Sequence, residues 1–132
     1  MRNVGFKQSM QTYISNHSET SDNHQDELLR SHYYKTTSKK AMEAVRGLIN
    51  QLDGYSLTSF SEEHGEMSVS VSKGRKAFMV ITIISVRPFE TAIDFSVTTE
   101  TTLLPMDFGY SKKLALLMYE KVDAVLPLLK RN

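Results

Sequence analysis

Four side chains of metal-ligand type stand close together early in the chain: His17, Asp22, His24 and Asp26. Neutral imidazoles and carboxylates can surround zinc or a similar ion, but this spacing matches no ligand motif. The run SNHSETSDNHQDE that carries them reads as an unfolded polar segment, where assembling a site would cost ordering entropy. A solvated arm without a metal is the expectation. His32 and His64 fall at a strand and a turn, and each is expected to be an exposed or hydrogen-bonded histidine. Arg87, Glu90 and Asp94 gather about a proline, and Glu100 and Asp107 stand near the end of the following run. Paired carboxylates can divide general acid and base work when burial separates their pKa values. At strand ends they more commonly bond turn amides or an arginine, so Arg87, Glu90 and Asp94 are taken as a polar cluster with no catalytic role. Lys73, Arg75 and Lys76 form a basic tip. With Lys39, Lys40, Lys112 and Lys113, and with Tyr33, Tyr34 or Tyr110 to stack bases, they are a candidate contact patch for a single-stranded nucleic acid backbone. No Ser-His-Asp spacing, Gly-rich phosphate loop or nucleotide fingerprint is present, and no catalytic, cofactor-binding or metal-ligating residue is assigned.

The elements that would position these groups centre on Lys76 to Pro105. In KAFMVITIISV, Phe78, Val80, Ile84 and Val86 fall on one side and Met79, Ile81 and Ile83 on the other, which marks an interior strand with two apolar faces. In TAIDFSVTTETTLLP, Ile93, Phe95 and Val97 alternate with Asp94, Ser96 and Thr98, the pattern of a strand wet on one face. Arg87-Pro88-Phe89-Glu90 joins the two as a type I turn, with Pro88 at its second position. Upstream, YSLTSF and EMSVSVS form two half-exposed strands around SEEHG, and Lys73-Gly74 turns the chain into the hairpin.

Before this meander, SHYYKTT predicts a short strand. Ala41, Val45, Leu48 and Leu52 then predict a helix over about 38 to 52, capped by Thr37 or Ser38 and stopped at Gly54. Gly47 lies inside that helix and is read as tolerated rather than required by packing. After the meander, Pro105 and Gly109 break regular structure, and Ser111 or Asp107 can cap a second helix. Its stripe is Leu114, Leu117, Met118, Val122, Val125 and Leu129, with Leu116, Tyr119 and Leu126 off to the side and Pro127 kinking or ending it. Residues 1–30 are expected to be a mobile polar arm, within which Phe6, Met10, Tyr13 and Ile14 have the spacing of a short docking helix. Residues 31–132 are expected to be one α+β domain. Its order β-α-β-β-β-β-α gives two layers, with a four- to five-stranded, mainly antiparallel sheet packed by the C-terminal helix and able to curl round it in a helix-grip manner.

The chain has 132 residues, 40% of them apolar, enough for one core. Absence of cysteine excludes disulfides, a thiolate nucleophile and Cys-based zinc sites. The formal charge of +1, from 16 basic and 15 acidic residues, provides no net field for a polyanion. No run approaches the roughly 20 apolar residues of a bilayer helix, and MRNVGFKQSM lacks an export signal's apolar segment, so a cytoplasmic protein is expected. The phrases SHYYKTTSKKAMEAV, ISVRPFETAIDFSV and TLLPMDFGYSKK, across about residues 30 to 130, resemble a family of small uncharacterised cytosolic proteins of Gram-positive bacteria. That resemblance implies a cytoplasmic one-domain protein and brings no activity or functional residue with it.

The expectation for function is a non-enzymatic binding or assembly module that forms a homo-oligomer, most simply a dimer, with no cofactor and no membrane. The doubly apolar strand and the broad apolar arc of the second helix exceed what two helices and a short sheet can cover. Alternatives are a carrier of a small apolar ligand held between sheet and helix, and a weak binder of single-stranded nucleic acid.

Overall fold

The computed structural model describes residues 17–100 and 109–131. In chain order these form β1 (His17–Glu19), one 3₁₀ turn (Glu27–Leu29), β2 (His32–Tyr34), α1 (Ser38–Gln51), β3 (Tyr55–Ser61), β4 (Glu66–Val71), β5 (Ala77–Arg87), β6 (Glu90–Thr99), α2 (Tyr110–Val125) and β7 (Leu128–Arg131). The fold is α+β: an open antiparallel sheet of seven strands, packed on one face by the two helices. Strands run β3-β4-β5-β6-β2-β7, and β1 also pairs with β6, end to end with β2.

The meander arises as its alternation requires. On β4, β5 and β6 the residues Met67, Val69, Val71, Ala77, Met79, Ile81, Ile83, Ile93, Phe95 and Val97 all turn to one side and are buried. Strict alternation fixes this register, because a slip by one residue would send the whole apolar set to water. Against that face α1 buries Ala41, Met42, Val45 and Ile49, with Leu48 and Leu52 half-covered at the flank. Thr37 caps α1, its side chain accepting from the Lys40 amide at 3.2 Å. From α2 come Leu114, Ala115, Met118, Tyr119 and Val122, followed by Leu126 just beyond its end.

Several expectations are corrected. The sheet has seven strands rather than four or five. His17–Arg30, assigned to a mobile arm, belongs to the sheet layer: β1 pairs His17–Glu19 with Thr98–Ser96 of β6, and Leu29 is buried in the core. Main-chain bonds and buried hydroxyls hold this stretch, with Ser18 and Thr20 covered, so it carries no apolar periodicity to read. The helical spacing of Phe6, Met10, Tyr13 and Ile14 lies outside the described residues, as do Pro105 and Asp107.

At the other end, the second helix closes at Val125 instead of running through the final leucines. Pro127 has no N–H to continue it, and Leu128–Arg131 extends as β7 along β2. Val125 and Leu129 are consequently exposed, whereas Tyr119 and Leu126, read as off the stripe, are buried. The N-cap of α2 is Gly109, without a side-chain cap bond; Ser111 lies inside the helix and hydrogen-bonds Ser18 through Oγ at 2.8 Å. The β5–β6 turn is not type I, since Phe89 sits at φ 57° where type I needs a negative value; a positive φ after proline is the type II arrangement. No helix among the described residues is long and apolar enough to cross a membrane.

Two glycines separate backbone need from tolerance. A Cβ at Gly47, exposed in the middle of α1, would meet nothing within 4 Å. Gly65, in the β3–β4 turn at φ +65°, would drive a Cβ into the Ile83 carbonyl oxygen. In urea unfolding, Gly47→Ala should therefore add about 1 kcal/mol and Gly65→Ala remove about 2 kcal/mol or more. Equal effects of the two substitutions would contradict this backbone.

Candidate functional site

Two features stand apart from ordinary core: a polar network set into the sheet, and an uncovered face.

The network arises because β1 and β2 meet β6 end to end. Glu19 pairs with Ser96 and His32 pairs with Ile93, which leaves Asp94 and Phe95 between the two ladders. Thr20 fills the gap. Its amide donates to the Phe95 carbonyl at 2.9 Å, its hydroxyl oxygen accepts from the Phe95 amide at 2.9 Å, and its hydroxyl donates to Asp94 Oδ1 at 2.6 Å. The Ser31 hydroxyl donates to the same oxygen at 2.6 Å. From α2, the Tyr119 hydroxyl reaches up from the core side to donate to the Ile93 carbonyl at 2.8 Å, with Thr20 Oγ1 at 3.1 Å and Asp94 Oδ1 at 3.4 Å. Burial holds the Tyr119 phenol well above its usual pKa and raises that of Asp94, the Ser31 and Thr20 bonds offsetting part of the Asp94 rise.

Beside this lies a second polar centre. The Tyr119 ring stacks on His32 with centroids 3.6 Å apart and 12° between planes, and takes Phe95 edge-on at 4.9 Å. His32 Nδ1 lies 3.0 Å from Asp123 Oδ1, which also accepts the Tyr34 hydroxyl at 2.6 Å, and Arg131 Nη2 is 3.7 Å from Asp123 Oδ2. An aspartate that orients an imidazole is half of a general-base arrangement. The other half is missing among the described residues, where none hydrogen-bonds His32 Nε2. Burial lowers the His32 pKa more than the Asp123 bond raises it, which keeps the ring neutral at physiological pH. The arrangement ties β2, α2 and β7 together.

The residues singled out by sequence are dispersed. Arg87 and Glu90 pair at 3.4 Å, with Lys130 on the same carboxylate at 3.7 Å. Asp94 lies four residues along the same strand, about 13 Å away, so no carboxylate pair forms there. Lys73, Arg75 and Lys76 are exposed at the β4–β5 turn, and Arg75 lies over the Tyr110 ring at 5.8 Å. Lys112 is engaged by Asp26, and Lys39 and Lys40 lie at the far end of α1, about 20 Å from Gly54, which packs on Lys73. The early metal-type residues each have other partners: His17 Nδ1 with Thr98 Oγ1, Asp22 with the Tyr33 hydroxyl, His24 Nδ1 with the Asp26 amide, and Asp26 with Lys112. The Asp22 bond and burial push Tyr33 up to about 12, burial being the larger cause. Among the described residues no three His, Asp or Glu converge to hold a metal. His64 bonds Ser61 within its own turn.

The uncovered face is the reverse of the sheet. Phe78, Val80, Thr82 and Ile84 of β5 point away from both helices; Phe78 is 46% exposed, Ile84 52% and, past a bulge, Val86 46%. Register sets hydroxyl-bearing residues to either side: Ser70 and Thr98 flank Phe78, and Ser68 and Ser96 flank Val80. Ser56 and Ser59 of β3 extend the hydroxyl rows outward. Hydroxyl rows thus border Phe78 and Val80, the carboxylates of Glu66 and Asp94 flank Thr82, and Ile84 and the bulge residue Val86 continue the apolar side chains beyond it. Near Phe78, where β4, β5 and β6 end, the surface dips into an open hollow of about 440 Å³ lined by the outward Ser70, Phe78 and Thr98 and by the inward Val71, Ala77 and Thr99.

Comparisons with protein families, with curated proteins and with solved structures find no match to this chain. Sequence reasoning missed Thr20, Ser31, Tyr119 and Asp123, whose partners lie 26 to 99 residues away. One available signal was Asp123 beside the buried Val122 on the final helix.

A pH dependence follows from the buried imidazole. The unfolded chain takes up the His32 proton near pH 6.5, and the folded protein does so only at lower pH. Stability from the neutral ring is thus complete above that value and is lost as pH falls from it toward the folded pKa. His24, also lowered by burial, acts with the same sign. Denaturant unfolding of His32→Asn at a series of pH values should show a shallower loss between about pH 6.5 and pH 5 than the parent; an unchanged slope would exclude His32 as a source.

Proposed function

We propose that this protein is a non-enzymatic binding or assembly module that associates with itself through the outer face of its sheet. The observation that carries this reading is the stripe of Phe78, Val80, Ile84 and Val86 left uncovered along β5. Apolar side chains grouped on one sheet face mark an interaction surface, whereas isolated exposed ones do not. A second copy is favoured as the occupant by the character of the borders. Serine and threonine hydroxyls both donate and accept, so rows of them can face their own equivalents across a two-fold axis, as an isologous contact requires. Two sheets stacked this way sit about 10 Å apart with interdigitated side chains. The cysteine-free chain is consistent with a cytoplasmic setting.

The polar network mainly ties its own elements together. Asp94 accepts from Thr20, Ser31 and Tyr119, and Asp123 holds His32 and Tyr34.

Sedimentation equilibrium tests the proposal. At micromolar concentration the 15.0 kDa chain should sediment as a dimer, and Ile84→Glu should return it to a folded monomer with an unchanged circular dichroism spectrum, since Ile84 is 52% exposed. A parent chain that is monomeric throughout that range would overturn the reading.

A further inference from the structure

The middle of the outer face is not apolar. Thr82 interrupts the stripe between Val80 and Ile84, and register puts Glu66 of β4 on one side of it and Asp94 of β6 on the other. Adjacent strands lie about 4.8 Å apart, so this row of carboxylate, hydroxyl and carboxylate crosses the stripe within about 10 Å. Any body laid along Phe78 to Ile84 covers it.

Neither carboxylate is in an ion pair among the described residues. Arg87 and Lys130, the cations nearest in register, are both held by Glu90. Asp94 is already half withdrawn from water, its Oδ1 taken by Thr20, Ser31 and Tyr119, and the Asp22 charge faces it from the segment between β1 and β2. Around the row stand His17 and Glu19 on β1, Tyr33 on β2 bonded to Asp22, Glu90 and Arg87 at the β5–β6 turn, Lys130 on β7, and Tyr119 from α2 beneath. Among the described residues named here, acidic groups outnumber the cations that could neutralise them. A carboxylate covered without a counter-charge is favoured in its protonated form.

We infer that self-association through this face is proton-linked and tightens as the pH falls, with Glu66 and Asp94 as the groups that take up protons. The inference rests on the self-association proposed above. A copy with the same row on its surface brings further carboxylates and, among the described residues, no free cation to the centre of the contact, so each dimer formed at neutral pH must either bury negative charge or bind protons. Lowering the pH removes that penalty. His17, hydrogen-bonded to Thr98, is the histidine at the edge of the face and needs its own control.

The test is sedimentation equilibrium of the full chain between about pH 5 and pH 7.5, for the parent, Glu66→Gln, Asp94→Asn, the double variant and His17→Gln. The dissociation constant of the parent should fall with pH by up to about tenfold per unit for each proton taken up. The double variant should bind tightly at every pH with little slope, and His17→Gln should keep the parental slope. Asn at position 94 retains an oxygen to accept from Thr20 and Ser31, and Glu66 is exposed, so the single Glu66→Gln variant gives a reading independent of the network. A dimer whose affinity does not vary with pH, or a slope that survives in the double variant, would overturn the proton linkage and leave self-association standing. Absence of a dimer at every pH would overturn both.

Discussion

Two helices can cover only one face of a sheet this wide, and the rest of the molecule follows from that constraint. Every apolar side chain on the inner side of β4, β5 and β6 is enclosed by α1 and α2, with Met67, Met79, Ile81, Ile93, Phe95 and Met118 at 1% exposure or less. Packing at that density leaves the inner layer no freedom to carry a site, because core side chains interlock and tolerate little change in volume. Among the described residues the opposite face has no second layer. What stands on it is set by register alone, as each inward residue of β5 fixes an outward neighbour. The chain places Phe78, Val80 and Ile84 there where serine or lysine would serve solubility better. An apolar surface retained against that pressure is the physical basis for reading the outer face as the working one.

The polar network answers a different need. Where two short strands share one edge of β6, the ladder is interrupted, and main-chain groups in the gap would be buried without partners. Leaving one such group unsatisfied costs about 1 to 3 kcal/mol. Thr20 and Tyr119 supply bonds at that point, Tyr119 from the helix layer and Thr20 from the edge itself. The same tyrosine stacks on His32, whose imidazole is held by Asp123 near the end of α2, so the interrupted ladder, the helix and the closing strand β7 are tied at one place. Its residue types resemble those of catalytic sites, and apart from His32 Nε2 the bonds described run between members of the network.

How much of this was legible in the sequence depended on whether side-chain pattern or long-range geometry decided the structure. The meander from Tyr55 to Thr99 was legible because alternation, turn residues and β-branched content all agreed. So was α1, whose stripe turned out rotated by about one residue, toward Met42 and Ile49. β1 was illegible, since His17, Ser18 and Glu19 have no apolar period and are held by main-chain pairing with a strand some 80 residues away. β7 was masked by leucines that continue the helical spacing past Pro127, although the proline itself signalled the break. The stripe on β5 was visible as a second apolar face, and its exposure was not, because pattern shows that a face is apolar without showing what covers it. The hairpin turn shows the same limit at one residue: Pro88 marked the reversal, while the left-handed φ of Phe89, unusual for a bulky side chain, came only with the coordinates.

The most direct test of the claim that the outer face is the contact surface is a dilution series followed by amide and methyl NMR. Between millimolar and low micromolar concentration, signals of Phe78, Val80, Thr82, Ile84 and Val86 and of their serine neighbours on β4 should shift with concentration, and those of α1 and α2 should stay fixed. Shifts confined to the helices, or spectra that do not change with dilution while the protein stays monomeric, would contradict the account.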